Sequence, residues 1–228
     1  MYRRLAAAIT FCACLCATRQ AVAQTGVDGA TNNAQSAAVQ EGVRAYRAAH
    51  EKEILAEFSQ LLSLPNVATK VPDVEANAAA ISAALERRGF RTSLFAAAPG
   101  TPPAVFGELR VPGATHTVVF YAHYDGQSVS QPDWRSGPFT PVVRTGLLTS
   151  GVQDVDWRAA SHIDPEWRLY ARSASDDKAP IQSMRSALDA LHSIGKRPTG
   201  NVNVFYEGEE EEGSRRLDAI LAKNARLL

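Results

Sequence analysis

The sequence predicts an α/β fold with a mostly parallel central sheet covered by helices. Two amphipathic stretches come first, three strand-like runs follow, and the chain then alternates strand, loop and helix twice. That alternation is the mark of a layered α/β arrangement. One run, VVFYA at 118–122, is apolar at every position. A strand without a polar face reads as buried on both sides, in the middle of a sheet rather than in an exposed hairpin.

The elements follow in order. Residues 1–23 open with the arginine pair Arg3-Arg4, followed by an apolar run from Leu5 to Ala17 and the small residues Ala21, Val22 and Ala23, which is the layout of a cleaved secretory signal peptide. The run is shorter than the roughly 20 residues a spanning helix needs, so a secreted or periplasmic location is expected, with no membrane attachment after cleavage. Residues 24–38 are small, polar and aperiodic, and read as a flexible linker. One catalytic domain is expected over 39–228.

A first helix is expected from about 39 to 63, with Ile54, Phe58, Leu61 and Leu62 on one face and Pro65 stopping it. A second should start at Asp73 as its cap, bury Val74, Ala78, Ile81 and Leu85, and end at Gly89 in a left-handed turn. RTSLFAA, AVFGELRV and THTVVFYAH read as strands. After a proline- and glycine-rich stretch from 130 to 165, the strand WRLYA leads into a helix with Ile181, Met184, Leu188 and Leu191 on one face. NVNVFYE is the last strand, and a helix carrying Leu217, Ile220 and Leu221 follows Ser214.

The chain has 228 residues, 24 basic and 24 acidic, and is 45% hydrophobic. This describes a globular protein with a substantial core. No basic stripe with interleaved aromatics is present, so nucleic acid is not an expected partner. Cys12, Cys14 and Cys16 all leave with the signal, so the mature chain has no disulfide, thiol ligand or cysteine nucleophile.

Ligands of open α/β sheets gather beyond the carboxyl ends of strands, and the chemistry-bearing residues of this sequence collect there. His123 and Asp125 alternate at the end of one strand, which puts both side chains on one side of the backbone. Either they form a structural hydrogen bond, or the carboxylate orients a metal-binding imidazole. Asp176 and Asp177 precede a helix, where one can cap it while the other faces a site. The run EGEEEEGS, residues 207–214, is a solvated charge patch by composition. Beside the other residues, it supplies a general base and a further ligand for metal-assisted hydrolysis. Histidine and carboxylates without thiolates suit zinc first, with manganese or cobalt as substitutes.

Together, AHYDGQ, LYARSASDDKAP and FYEGEEEEGS resemble, in order and spacing, the M20 family of metallopeptidases, most closely its dipeptidase and carnosinase-like branch. The likeness runs from about Ala45 to the last residue. It implies a zinc-exopeptidase-like catalytic domain holding two divalent metal ions. In that frame His123 binds one metal, Asp176 bridges both, Glu211 binds the second, Asp125 orients or polarises the site, and Glu210 is the general base. Glu209 and Glu212 become flanking, solvated residues. The resemblance also implies a cis peptide between Asp176 and Asp177. The expected reaction is hydrolysis of the amide bond of a dipeptide, or of a similar small peptide or N-acyl amino acid, by metal-activated water.

Two departures qualify it. Ser173 and Ala179 stand where the family has glycine, and either is strained if its position needs positive φ. The family also carries a further carboxylate ligand, a late histidine ligand and a lid and homodimerisation domain. None is found in these 228 residues, so the expectation is an incomplete domain, inactive by itself. The competing readings are a non-catalytic remnant with a weak metal-binding acidic patch, and an M28-like aminopeptidase or an N-acyl amino acid deacylase.

Overall fold

The computed structural model describes residues 34–149 and 151–227. The expected signal peptide 1–23 and residues 24–33 of the linker lie outside them. Residues 34–38, expected in the linker, are helical: helix α1 runs over 34–49. Alanine and glutamine favour helix without any apolar stripe, so the lack of periodicity was a poor guide there. The chain divides near Ala45, and the sheets and the site belong to the unit Tyr46–Leu228.

The single helix expected over 39–63 is interrupted at His50, whose φ of −122 and ψ of 24 leave the helical region although its N–H still donates to Tyr46 O at 3.0 Å. α2 is Glu51–Leu62 and α3 is Val71–Glu86. Asp73 lies inside α3 and caps nothing; Pro72, with its fixed φ, sets the start instead. The far end is as expected. Gly89 has φ +87, its N–H donates to Glu86 O, and Phe90 N–H donates to Leu85 O. That bond pair is a Schellman turn, with buried Phe90 and Leu85 in its apolar contact.

The strands are β1 (Arg91–Phe95), β2 (Ala104–Leu109), β3 (Thr117–His123), β4 (Val142–Arg144), β5 (Asp154–Val155), β6 (Arg168–Tyr170) and β7 (Asn201–Glu207). α4 is Lys178–Ser193 and α5 is Leu217–Asn224. The main sheet has the order β1-β2-β7-β3. Only β3 and β7 pair in parallel; β1 with β2 and β2 with β7 are antiparallel. The α/β class therefore holds with a mixed sheet instead of a mostly parallel one. β6 belongs to a separate antiparallel sheet, β5-β4-β6, made within the proline- and glycine-rich stretch and the strand after it.

Val105, Val204 and Tyr206 point from the sheet to one face, where Leu61, Val74, Ile81, Leu85 and Ile181 of α2, α3 and α4 cover them. Phe106 and Phe205 point to the other, where α5 brings Ile220. β7 holds the central, buried place expected of β3. β3 is instead an edge strand, with Val119 59% and Tyr121 53% exposed. Apolarity at every position shows that both faces favour cover, not which strand lies in the middle.

Candidate active site

The parallel ladder sets the site. Its last register pair is His123 opposite Glu207, so the loops leaving β3 and β7 emerge side by side. Glu207 is buried and accepts the Tyr121 hydroxyl at 2.8 Å. After it, a Cβ at Gly208 would lie 2.6 Å from both the Pro103 carbonyl and the Tyr124 hydroxyl. Only a glycine passes that gap undisturbed. A single 3-10 turn, Glu210–Glu212, comes next and closes at Gly213 in the left-handed region, φ +81.

Three expected carboxylates meet around the expected imidazole of His123. Nδ1 of His123 lies 3.3 Å from Oδ1 of Asp125, and Nε2 lies 2.9 Å from Oδ1 of Asp176 and 3.6 Å from Oε2 of Glu210. Asp125 is fully buried, whereas the Asp176 side chain is 75% exposed. Glu211 joins differently. Its backbone N–H donates to Asp125 Oδ2 at 3.0 Å and its carboxylate accepts Gln127 Nε2 at 2.9 Å. These bonds aim it beside the cluster without contact to His123 or Asp176.

The paired aspartates divide their work. The Asp176–Asp177 peptide is cis. Asp177 occupies the N-cap position of α4, yet its side chain makes no capping bond. It accepts the backbone N–H of His123 at 3.3 Å instead, tying the turn to the end of β3.

Burial disfavours a charged His123, but Asp125, with Asp176 and Glu210, more than offsets it and pushes the imidazole up to about 9. The metal-free protein therefore holds His123 protonated at neutral pH. A cation bound by His123, as the family resemblance implies, would displace that proton, so uptake of zinc at pH 7 is expected to release one. Affinity should strengthen as pH rises toward about 9 and level off above it. Calorimetric titration in buffers of differing ionisation enthalpy reads the proton directly; uptake at pH 7 without proton release would refute this.

The donor set suits a divalent metal. Imidazole nitrogen and carboxylate oxygens converge, and His123 Nδ1 and Asp125 Oδ1 are buried without a hydrogen-bond partner among the described residues. Their separation is ion-pair distance without hydrogen-bond alignment. The donors now face one another, and among the described residues no group of three or more histidine or acidic side chains stands as a ready cage.

Several supporting residues carried no recognisable signal in the sequence. Asn66 is fully buried, and its amide donates to Tyr124 O at 2.7 Å and Ser173 Oγ at 2.9 Å, bracing the loops after β3 and before α4. Lys178 is also fully buried. Its ammonium donates to Leu61 O at 3.0 Å and Leu64 O at 3.4 Å, and burial pushes it down to about 7. It thus reaches the end of α2 rather than the adjacent aspartates. Glu209, expected to be solvated, is buried against Arg216. Glu212 pairs with Arg215 at 3.2 Å.

Of the two glycine replacements, Ser173 is the strained one, with φ +60; Ala179 lies inside α4. The Ser173 hydroxyl also donates to Asp125 O at 3.3 Å. Ser173→Ala keeps the strain and loses the hydroxyl, and should cost about 1–3 kcal/mol in urea denaturation. Ser173→Gly relieves roughly 1–2 kcal/mol of left-handed strain and should lie closer to wild type. The reverse ranking would contradict this account.

Residues 119–226 match the model of peptidase family M20/M25/M40. The chain is similar to the Cys-Gly metallodipeptidase of Candida albicans, 33% identical over 126 residues, covering 54% of this chain and 22% of that protein. It is similar to the human Beta-Ala-His dipeptidase, 28% identical over 123 residues, covering 54% of this chain and 20% of that one. The match thus spans about a fifth of the length of these curated relatives. Among solved structures, human carnosine dipeptidase 1 shares the fold, with TM-score 0.64 and 22% identity over 82% of this chain and 38% of its own. The M20 family metallo-carboxypeptidase of Sulfolobus solfataricus aligns with TM-score 0.61 and 27% identity, over 78% of this chain and 35% of that one.

Proposed function

We propose, from the match of residues 119–226 to peptidase family M20/M25/M40, that the protein hydrolyses the amide bond of dipeptides or similarly small substrates, using divalent metal. The observation that carries the reading is the meeting of His123, Asp125, Asp176 and Glu210 at the shared carboxyl ends of β3 and β7. The dipeptidase names of its relatives support the substrate class.

His123, Asp176 and Glu211 would hold two ions, zinc by the softness of the donors. When bound, such ions polarise the scissile carbonyl and make a water acidic near neutral pH. The chain's own residues do the rest. Asp125 faces His123 Nδ1 and so leaves Nε2 as the outward donor atom. The same carboxylate accepts Glu211 N–H, which couples the two ligand-bearing segments. Gln127 holds the Glu211 carboxylate in place. Glu210, on the same turn but bound to no fixed donor, is the base that takes the water's proton and passes it to the leaving amine.

One observation favours the reading as a non-catalytic acidic patch, the lack of a ready ion cage among the described residues. The two separate in one experiment. The protein is stripped with chelator, reloaded with zinc, manganese or cobalt, and assayed on unblocked dipeptides and N-acyl amino acids. Hydrolysis of dipeptides that needs restored metal is expected when these residues are joined to the further ligands and lid that the family resemblance implies, and none is expected from the 228 residues alone. Metal uptake without hydrolysis of any substrate supports the acidic patch, and preference for N-acyl amino acids would replace the dipeptidase assignment with a deacylase.

A further inference from the structure

The far end of the main sheet carries a second concave surface, independent of the peptidase reading. Leu109 ends β2 opposite Val202, near the start of β7, while His123 pairs with Glu207 at its end. Five residues of strand put the two places ~17 Å apart along β7. Here the turn after α3, the end of β2 and the loop after α4 enclose a cavity of about 400 Å³.

Its charge is one-sided. The lining holds five cations, Arg87, Arg88, Arg110, Lys196 and Arg197, against one carboxylate, Asp189. Arg88 takes up that carboxylate at 2.6 Å and also pairs with Glu57. Arg110 is held by Glu108. Arg87, Lys196 and Arg197 enter no ion pair among the described residues. The floor beneath them is apolar, with Leu109 and Leu188.

Helix dipoles explain only part of this. Arg87 caps α3 and His192 lies in the last turn of α4, where cations are favoured. Lys196 and Arg197 lie beyond that turn, and Arg110 comes from a strand end. Nor does the dipole require a hollow with an apolar floor. Guanidinium forks match phosphate oxygens two at a time, and an ammonium adds a point charge.

We propose that this cavity binds a small organic phosphate, with its phosphate held by Arg87, Lys196 and Arg197 and its apolar body resting on Leu109 and Leu188. Phenyl phosphate is the probe and inorganic phosphate the control, titrated calorimetrically into the full chain at about 0.15 M salt. Saturable binding of phenyl phosphate, at least ~10-fold tighter than inorganic phosphate, is expected. The exchanges Lys196→Glu and Arg197→Glu, at loop positions without ion-pair partners among the described residues, should each weaken it by about tenfold or more, the scale of one charge-assisted bond. Four results would overturn the site: no saturation, equal affinity for the two phosphates, affinity unchanged by both reversals, or equal weakening by a distant control reversal such as Arg44→Glu.

Discussion

In a chain completed with the further ligands and lid that the family resemblance implies, Glu210→Ala is expected to lower kcat for dipeptide hydrolysis about 10²–10⁴-fold, the range for loss of a positioned general base, while metal content stays at wild-type stoichiometry. The side chain is 43% exposed and its one ion-pair contact is with His123 at 3.6 Å, longer than that of Asp176. Nothing in the fold depends on it, so the loss should fall on kcat with little change in KM or melting temperature. Elemental analysis beside the kinetics decides the matter. Turnover near wild type would end the base assignment, and loss of metal in step with activity would make Glu210 a ligand.

In the same completed chain, Asp176→Ala should have the other large effect. Asp176 is the carboxylate nearest His123 Nε2, and by family resemblance it serves both ions. Its removal is expected to weaken metal binding by more than about 100-fold, beyond the cost of losing a ligand's supporting partner, and to remove detectable hydrolysis at ordinary metal concentrations. Because the side chain is 75% exposed, stability should move by only about 0.5 kcal/mol. The pairing with His123 would also go, drawing the imidazole down from about 9. Metal content equal to wild type in the variant would refute the bridging role.

Much of this was legible because the signals are local. Gly89 announced its turn, the α4 stripe marked a face that buries Ile181 and Met184, and alternation along the strands put His123 and Asp125 together; of the α5 stripe Ile220 is buried but Leu221 is exposed. What the sequence hid depends on long-range order. VVFYA has the composition of a central strand, but β7 takes the centre by pairing with β2 and β3 at once. The proline- and glycine-rich stretch concealed a small sheet because its strands are two and three residues long, too short for periodicity. In the glutamate run, Glu207 and Glu209 are buried by a tyrosine and an arginine whose approach no local pattern records. Asn66 gave no signal, since a single asparagine before a valine reads as a turn.

The position of β3 also bears on how these 228 residues by themselves behave in concentrated solution. Thr117 to Ala122 contains no charge, proline or glycine, and its outer backbone edge pairs with no strand among the described residues. Such a segment is a template onto which like strands stack, the first step toward fibrillar aggregates. Native edges are commonly guarded by an inward or flanking charge, and here the only guard within the strand is His123 at its end. A lysine in place of exposed Val119 is the least change that would interrupt the template, leaving the buried end of the strand and the His123 cluster untouched.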